Sequence, residues 1–270
     1  MDIGIDVGGT KCTADAHFAS ETGYHGCPSP ETLKRFIPKE HRMNWGDASL
    51  CTDRVWLAHA AGMEPVPGTA YAYRIPLMTR QVERIFGKPS EHLEEYALQS
   101  QISQAEAKKY FIERFRIGKW RRTGIIWWNL IDGWPQISDA VVDWYGCKKL
   151  AYHYIKTSQT PFRMMVDEPK DGILTLCAAN DTREPQTVRY TVKNLATGKT
   201  VLAGDCTVPP DVTARIAGFP EETGACYRIQ WDGDSCGQNH FTAAIGDGID
   251  LAADSQWMKE LGYWSLREGF

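Results

Sequence analysis

No stretch of 18 apolar residues occurs in the 270-residue chain, so no segment reads as a bilayer-spanning helix. Strong charge of either sign is also missing. Lys and Arg total 30 against 34 Asp and Glu, a net charge of −4, which gives no reason to expect a nucleic-acid or membrane partner. The beginning, MDIGIDVGGTKC, has neither a basic start nor an apolar stretch behind it, so a secretory signal is not expected. None of the eight cysteines forms a C-x-x-C pair, which argues against a zinc ribbon or a thioredoxin-like motif. Without a signal, eight cysteines read as reduced, mostly buried thiols in a cytoplasmic protein. The abundant residue is tryptophan, with 10 copies against 9 phenylalanines.

Two halves differ in period. Over 1–160, apolar runs mix with helical spacing. Ser29-Pro30-Glu31 predicts a helix start, with Ser29 as cap and Pro30 in the first turn. Residues 40–76 carry Gly, Pro and aromatics without a clear period and read as a long loop region with short helices. Ser103-Gln104-Ala105-Glu106 fits a capping box, and Gly118 is the stop of the helix behind it. The run Gly124–Leu130 predicts a strand buried on both faces in a parallel sheet.

From residue 161 the period is two. Val188, Tyr190 and Val192 alternate with polar neighbours, as do Tyr227, Ile229 and Trp231, and then Phe241, Ala243 and Ile245. Thr197-Gly198 and Asp232-Gly233 read as turns between them. Short alternating strands separated by turns predict an antiparallel sandwich over 161–250. Residues 251–270 are a tail with helical spacing at Leu251, Met258 and Leu261.

Two segments carry chemistry. Ile3-Gly4-Ile5-Asp6-Val7-Gly8-Gly9-Thr10-Lys11 resembles the first phosphate-binding motif of the sugar-kinase and actin-like ATPase superfamily. There, glycines admit backbone N–H groups to a phosphate and an aspartate holds Mg²⁺. The polar continuation Cys12–Phe18 and the want of a second glycine-rich loop make an ATP-dependent sugar kinase remnant the third reading.

The second segment is His17–Tyr24, a short strand whose Glu21 precedes a Gly turn and a proline-started helix. A carboxylate at the C-terminal end of a strand is where alternating barrels keep their chemistry. About one hundred residues on comes G-I-I-W-W-N-L-I-D-G-W-P (124–135), then Ser138, Asp143, Gly146, Lys148 and Tyr152. This stretch resembles the last barrel strand of glycoside hydrolase family 2, β-mannosidase branch, and its continuation into a sandwich. Phe18-Ala19-Ser20-Glu21-Thr22-Gly23, with Pro28-Ser29 and Thr32, is similar to the same family's nucleophile region.

The resemblance implies an α/β plus all-β chain. Residues 1–160 are then the last strands and helices of a (β/α)8 TIM barrel, and 161–250 an immunoglobulin-like β-sandwich. It implies a retaining exo-β-glycosidase acting on terminal β-mannosides or related β-glycosides, needing no cofactor and no metal. Glu21 is then the nucleophile, one of two carboxyl groups about 5–5.5 Å apart. Trp128 offers an apolar face to the sugar, and Asp132 and Trp134 match the family's D-x-W-P element; by position, Tyr24 and His25 after the nucleophile are candidates to line the pocket, with buried packing as the other reading for both, and Asn129 is a candidate to bind a hydroxyl. Each also has a structural reading: Trp128 as a core indole, Asp132 as an internal hydrogen-bonding group, Asn129 as a strand-end cap, Tyr24 as packing. The family's acid/base is the Glu of an Asn-Glu pair. Here Asn44, Asn129, Asn180, Asn194 and Asn239 precede Trp, Leu, Asp, Leu and His. The expectation is therefore a truncated hydrolase, inactive unless the missing N-terminal part of the same enzyme completes it. The alternative is a non-catalytic carbohydrate-associated module.

Overall fold

A computed structural model describes residues 6–7, 10–11, 17–42, 51–61, 73–243 and 248–270. Strands β1 (Asp6–Val7) and β2 (Thr10–Lys11) pair antiparallel as a sheet of their own. Gly8, Gly9 and the rest of the phosphate-like motif before Asp6 lie outside the described residues.

Strand β3 (Phe18–Gly23) is followed by helices α1 (Pro30–Phe36), α2 (Arg54–Ala61), α3 (Arg74–Phe86) and α4 (Leu93–Ile117), then by β4 (Gly124–Trp128) and α5 (Leu150–Ser158). Helix α1 starts where the spacing predicts: Ser29 Oγ accepts from the Thr32 N–H, and Pro30 needs no partner for an N–H it lacks. Helix α4 departs from the reading. It begins at Leu93, with Glu94 and Glu95 in its first turn, so Ser103 lies mid-helix. Ser103 Oγ instead donates to the Gln81 carbonyl of α3 and hydrogen-bonds Tyr24 Oη. A serine satisfied across helices reads the same in sequence as one that caps. The helix ends at Gly118 as expected, its N–H on the Arg114 carbonyl.

Helix α4 is central. Helices α1, α3 and α5, strand β4 and part of the sandwich all pack on it, so even Gln104, Lys108, Lys109 and Glu113 are buried. Such groups must find partners, because an unpaired buried charge costs several kcal/mol.

Strands β3 and β4 pair in parallel, with Thr22 opposite Trp127 and Gly23 opposite Trp128. Ile125 and Trp127 pack on the helical core. The expected second cover is not there: Ile126 is 56% exposed and Trp128 52%. Sequence shows that a strand is apolar, not which layers reach it. No third strand joins the pair among the described residues. The pair and the helices between its strands form one βαβ connection, which alone is not a barrel.

Among the described residues the sandwich has seven strands. β5 (Phe162–Lys170), β6 (Ile173–Asn180) and β9 (Val212–Pro220) form one antiparallel sheet; β11 (Gly237–Thr242), β10 (Cys226–Gly233), β7 (Gln186–Asn194) and β8 (Thr200–Val208) form the other. Between them lie Met164, Leu176, Val192, Tyr227 and Ile229. The alternating residues of β7 and β10 are thus the inward faces. Gly198 makes its turn with φ 72°. Asp232-Gly233, read as a turn, is instead the last pair of β10, opposite Arg189 and Val188. A Cβ on Gly233 would lie 2.4 Å from the Thr187 carbonyl, so glycine serves close strand approach there. Ile245 lies outside the described residues.

Helix α6 (Leu251–Glu260) returns to the helical core through Trp257 and Met258. It also buries Asp254, whose Oδ2 has no partner. Burial, and then the neighbouring Glu106 of α4, push that carboxyl up from 3.8 to about 7. Glu106 itself is held by His240 Nε2 from β11. A carboxyl raised on folding contributes most when protonated, so stability falls as pH rises from about 4 to about 7, by about 4 kcal/mol for this one group. Asp254→Asn is expected to flatten that decline. Chemical denaturation across the interval checks it, and a wild-type curve parallel to the variant's refutes it.

Candidate active site

The site is built from the ends of β3 and β4. The ladder of β3 shifts register between Ala19 and Thr22, which takes Ser20 and Glu21 out of regular pairing and leaves both exposed. Irregular register re-aims side chains. Thr22 is buried toward the helices, so its neighbours Glu21 and Gly23 point to the other face. On β4, Trp127 faces the helical core and Trp128 the open side. Glu21 and Trp128 therefore share one face of the pair, at its C-terminal end. The surrounding apolar surface is Phe18, Ile126, Leu130 and Ile131, each more than half exposed.

The other sequence candidates lie just beyond the ends of the two strands. Tyr24 is buried on the helical side against Ala107 and Phe111, and burial pushes its hydroxyl up to about 12. Asp132 is buried within the segment after β4 and accepts from Ser138 Oγ; burial raises its carboxyl. Asn129, joined to Trp128 by a cis peptide, turns its Nδ2 to the Ile131 carbonyl. Trp134 stacks on His59 with ring centroids 5.5 Å apart, and His59 lies 4.7 Å from Phe36. Asn129 Oδ1 and Asp132 Oδ2 are buried without a hydrogen-bond partner among the described residues.

Two further groups have no signature in the sequence. Asp139 places its carboxylate beside Gly23: a Cβ there would lie 2.9 Å from Asp139 Oδ1. His25 Nδ1 is 3.4 Å from the same oxygen, and burial pushes the imidazole pKa down against the pull of that carboxylate. Lys108 of α4 donates from Nζ to the Trp128 carbonyl at 2.6 Å. Burial lowers its ammonium to about 8, with Asp139 opposing the fall. Gln104 Nε2 donates to the carbonyls of Tyr24 and Asp139, tying the segments after β3 and β4 together. A lysine inside an amphipathic-looking helix reads as a solvated residue, and Asp139 meets Gly23 only through the fold. Among the described residues no group of His, Cys, Asp and Glu is arranged to hold a metal ion, and no helix is long and apolar enough to cross a membrane.

No protein-family model matches the sequence, and no curated protein does. Solved structures do. A β-D-mannosidase from Dictyoglomus thermophilum superposes with a TM-score of 0.69 at 23% identity, covering 87% of this chain. An exo-chitosanase from Amycolatopsis orientalis superposes with a TM-score of 0.61 at 18% identity, covering 84% of this chain. The chain spans 28% of the first and 27% of the second. Its arrangement of helices and antiparallel sheets is thus similar to part of two glycoside hydrolases.

Proposed function

We propose that the chain is the C-terminal portion of a retaining exo-β-glycosidase of the family 2 β-mannosidase type. In this reading residues 1–160 supply the last strands of a (β/α)8 barrel and 161–250 its immunoglobulin-like sandwich. The observation that carries it is the common face of Glu21 and Trp128 at the C-terminal ends of two adjacent parallel strands, where barrels hold their chemistry. The likeness to a β-mannosidase and an exo-chitosanase supports it.

Glu21 Oε attacks the anomeric carbon of a terminal β-mannoside or related sugar as the glycosidic oxygen leaves, forming a glycosyl ester that water then opens. Trp128 supplies a rigid apolar face for the ring. The acid that protonates the leaving oxygen comes from a polypeptide segment that covers β3 and β4.

The test uses a leaving group that departs without an acid: a dinitrophenyl β-D-mannoside carrying fluorine in place of the hydroxyl next to the anomeric carbon. The wild-type chain is expected to gain one fluoromannosyl group on the peptide containing Glu21, and Glu21→Gln none. Mass spectrometry reads the site. An unlabelled wild-type chain, or an adduct on another carboxylate, overturns the assignment.

A further inference from the structure

We propose that the cleft between the end of α5 and the β10–β11 connection is a second binding site, for a neutral, hydroxyl-rich ligand of the saccharide class. Neither Glu21 nor Trp128 lines it, so it stands apart from the reading of Glu21 as nucleophile. Its volume is about 420 Å³, within the range of small-molecule sites. Arg163, Trp231, Asp234, Cys236, Gly237 and Gln238 are among its lining residues.

Three observations give the cleft its chemistry. First, Trp231 is 5% exposed, and its Nε1–H is buried without an acceptor among the described residues. A buried donor left unmade is costly. Gly237 brings no side chain between the cleft and this indole: a Cβ there would lie 2.5 Å from Trp231 Cζ2 and 2.9 Å from Cε2, the carbon bonded to Nε1. Second, Arg163 has five N–H donors. Two go to Glu113, one to Asn239 and one, from Nη1, to the Gln238 carbonyl at 3.2 Å. The fifth is on Nη1 too, the nitrogen turned to a lining residue. Third, Asp234 accepts the Thr187 N–H with Oδ2 at 2.8 Å and keeps Oδ1 as an acceptor at the exposed rim.

Inner donors and an outer acceptor suit hydroxyl groups, which accept and donate through one oxygen. An anion fits less well. The Arg163 charge is already matched by Glu113, and Asp234 would repel a second carboxylate.

The test titrates the nitrogen-15-labelled full chain with methyl β-D-mannopyranoside and follows the Trp231 indole N–H signal, identified by its loss in Trp231→Phe. The signal is expected to move saturably, with half-saturation on the order of millimolar. Asp234→Asn is expected to raise half-saturation about five-fold, and Cys236→Phe, which fills the cleft, to abolish the shift. A Trp231 signal that stays in place, or moves only in proportion to concentration, overturns the proposal. So does a half-saturation unchanged in both Asp234→Asn and Cys236→Phe. Sodium acetate is the anion arm: a saturable shift at lower concentration than the glycoside overturns the ligand class. Should Trp231→Phe not fold, saturation transfer to the glycoside is compared between wild type and Cys236→Phe. A fall by half or more supports the site, and a smaller one overturns it.

Discussion

Turnover of nitrophenyl β-D-mannoside by the purified 270-residue chain is expected to be less than about one thousandth of its rate once a partner polypeptide covers β3 and β4. The sequence carries no Asn-Glu pair, and a positioned general acid contributes about 10²–10⁴-fold in rate. The open face adds a structural reason. Phe18, Ile126, Trp128, Leu130 and Ile131 stand in solvent, whereas parallel strands are normally covered on both faces. On the proposed function, co-expression with the part of the Dictyoglomus β-mannosidase that this chain does not match would supply both cover and acid. Nitrophenol release should then appear, and Glu21→Gln in the same complex should remove it. Turnover by the chain alone that Glu21→Gln abolishes would show the face to be complete without a partner.

The second large effect concerns stability. Glu113 of α4 receives Arg163 of β5 at 3.1 Å, Lys109 at 3.2 Å and Asn239 Nδ2 of β11 at 3.0 Å, all of them buried. This carboxylate is one of several links between helical core and sandwich, beside Glu106–His240, Arg114–Asp167 and Arg116–Asp181. Glu113→Ala strands two buried cations and is expected to cost about 3–5 kcal/mol, lowering the melting temperature by about 10 °C. Replacing the three charges together with apolar residues (Lys109→Met, Glu113→Leu, Arg163→Met) should recover most of the loss, because no buried charge then remains unpaired. Calorimetry of the single and triple variants decides it: a Glu113→Ala chain that melts with wild type shows the network to be solvated.

Much of the local structure was legible. Ser29 and Pro30 marked the start of α1, Gly118 the end of α4, and the alternation at Val188–Val192 and Tyr227–Trp231 two inward-facing strands. Those signals are local: a cap, a stop and a period each involve residues a few positions apart. The start of α4 was not legible, because Ser103 chose partners on α3 and after β3 over its own helix end. Nor was the surface of Gly124–Trp128, since an apolar run states a preference for burial and not its fulfilment.

By itself, then, the sequence determined the kinds of element, the two-strand motif ending in Glu21 and Trp128, and the change from helical to alternating period near residue 161. Only the tertiary structure decided that those two side chains share a bare face while Tyr24 and Asp132 turn inward. It alone brought Asp139 onto Gly23 and Lys108 onto the Trp128 carbonyl. The physical reason is that propensity and period act over a few residues, whereas the pairing of buried charges is set by which elements exclude water together.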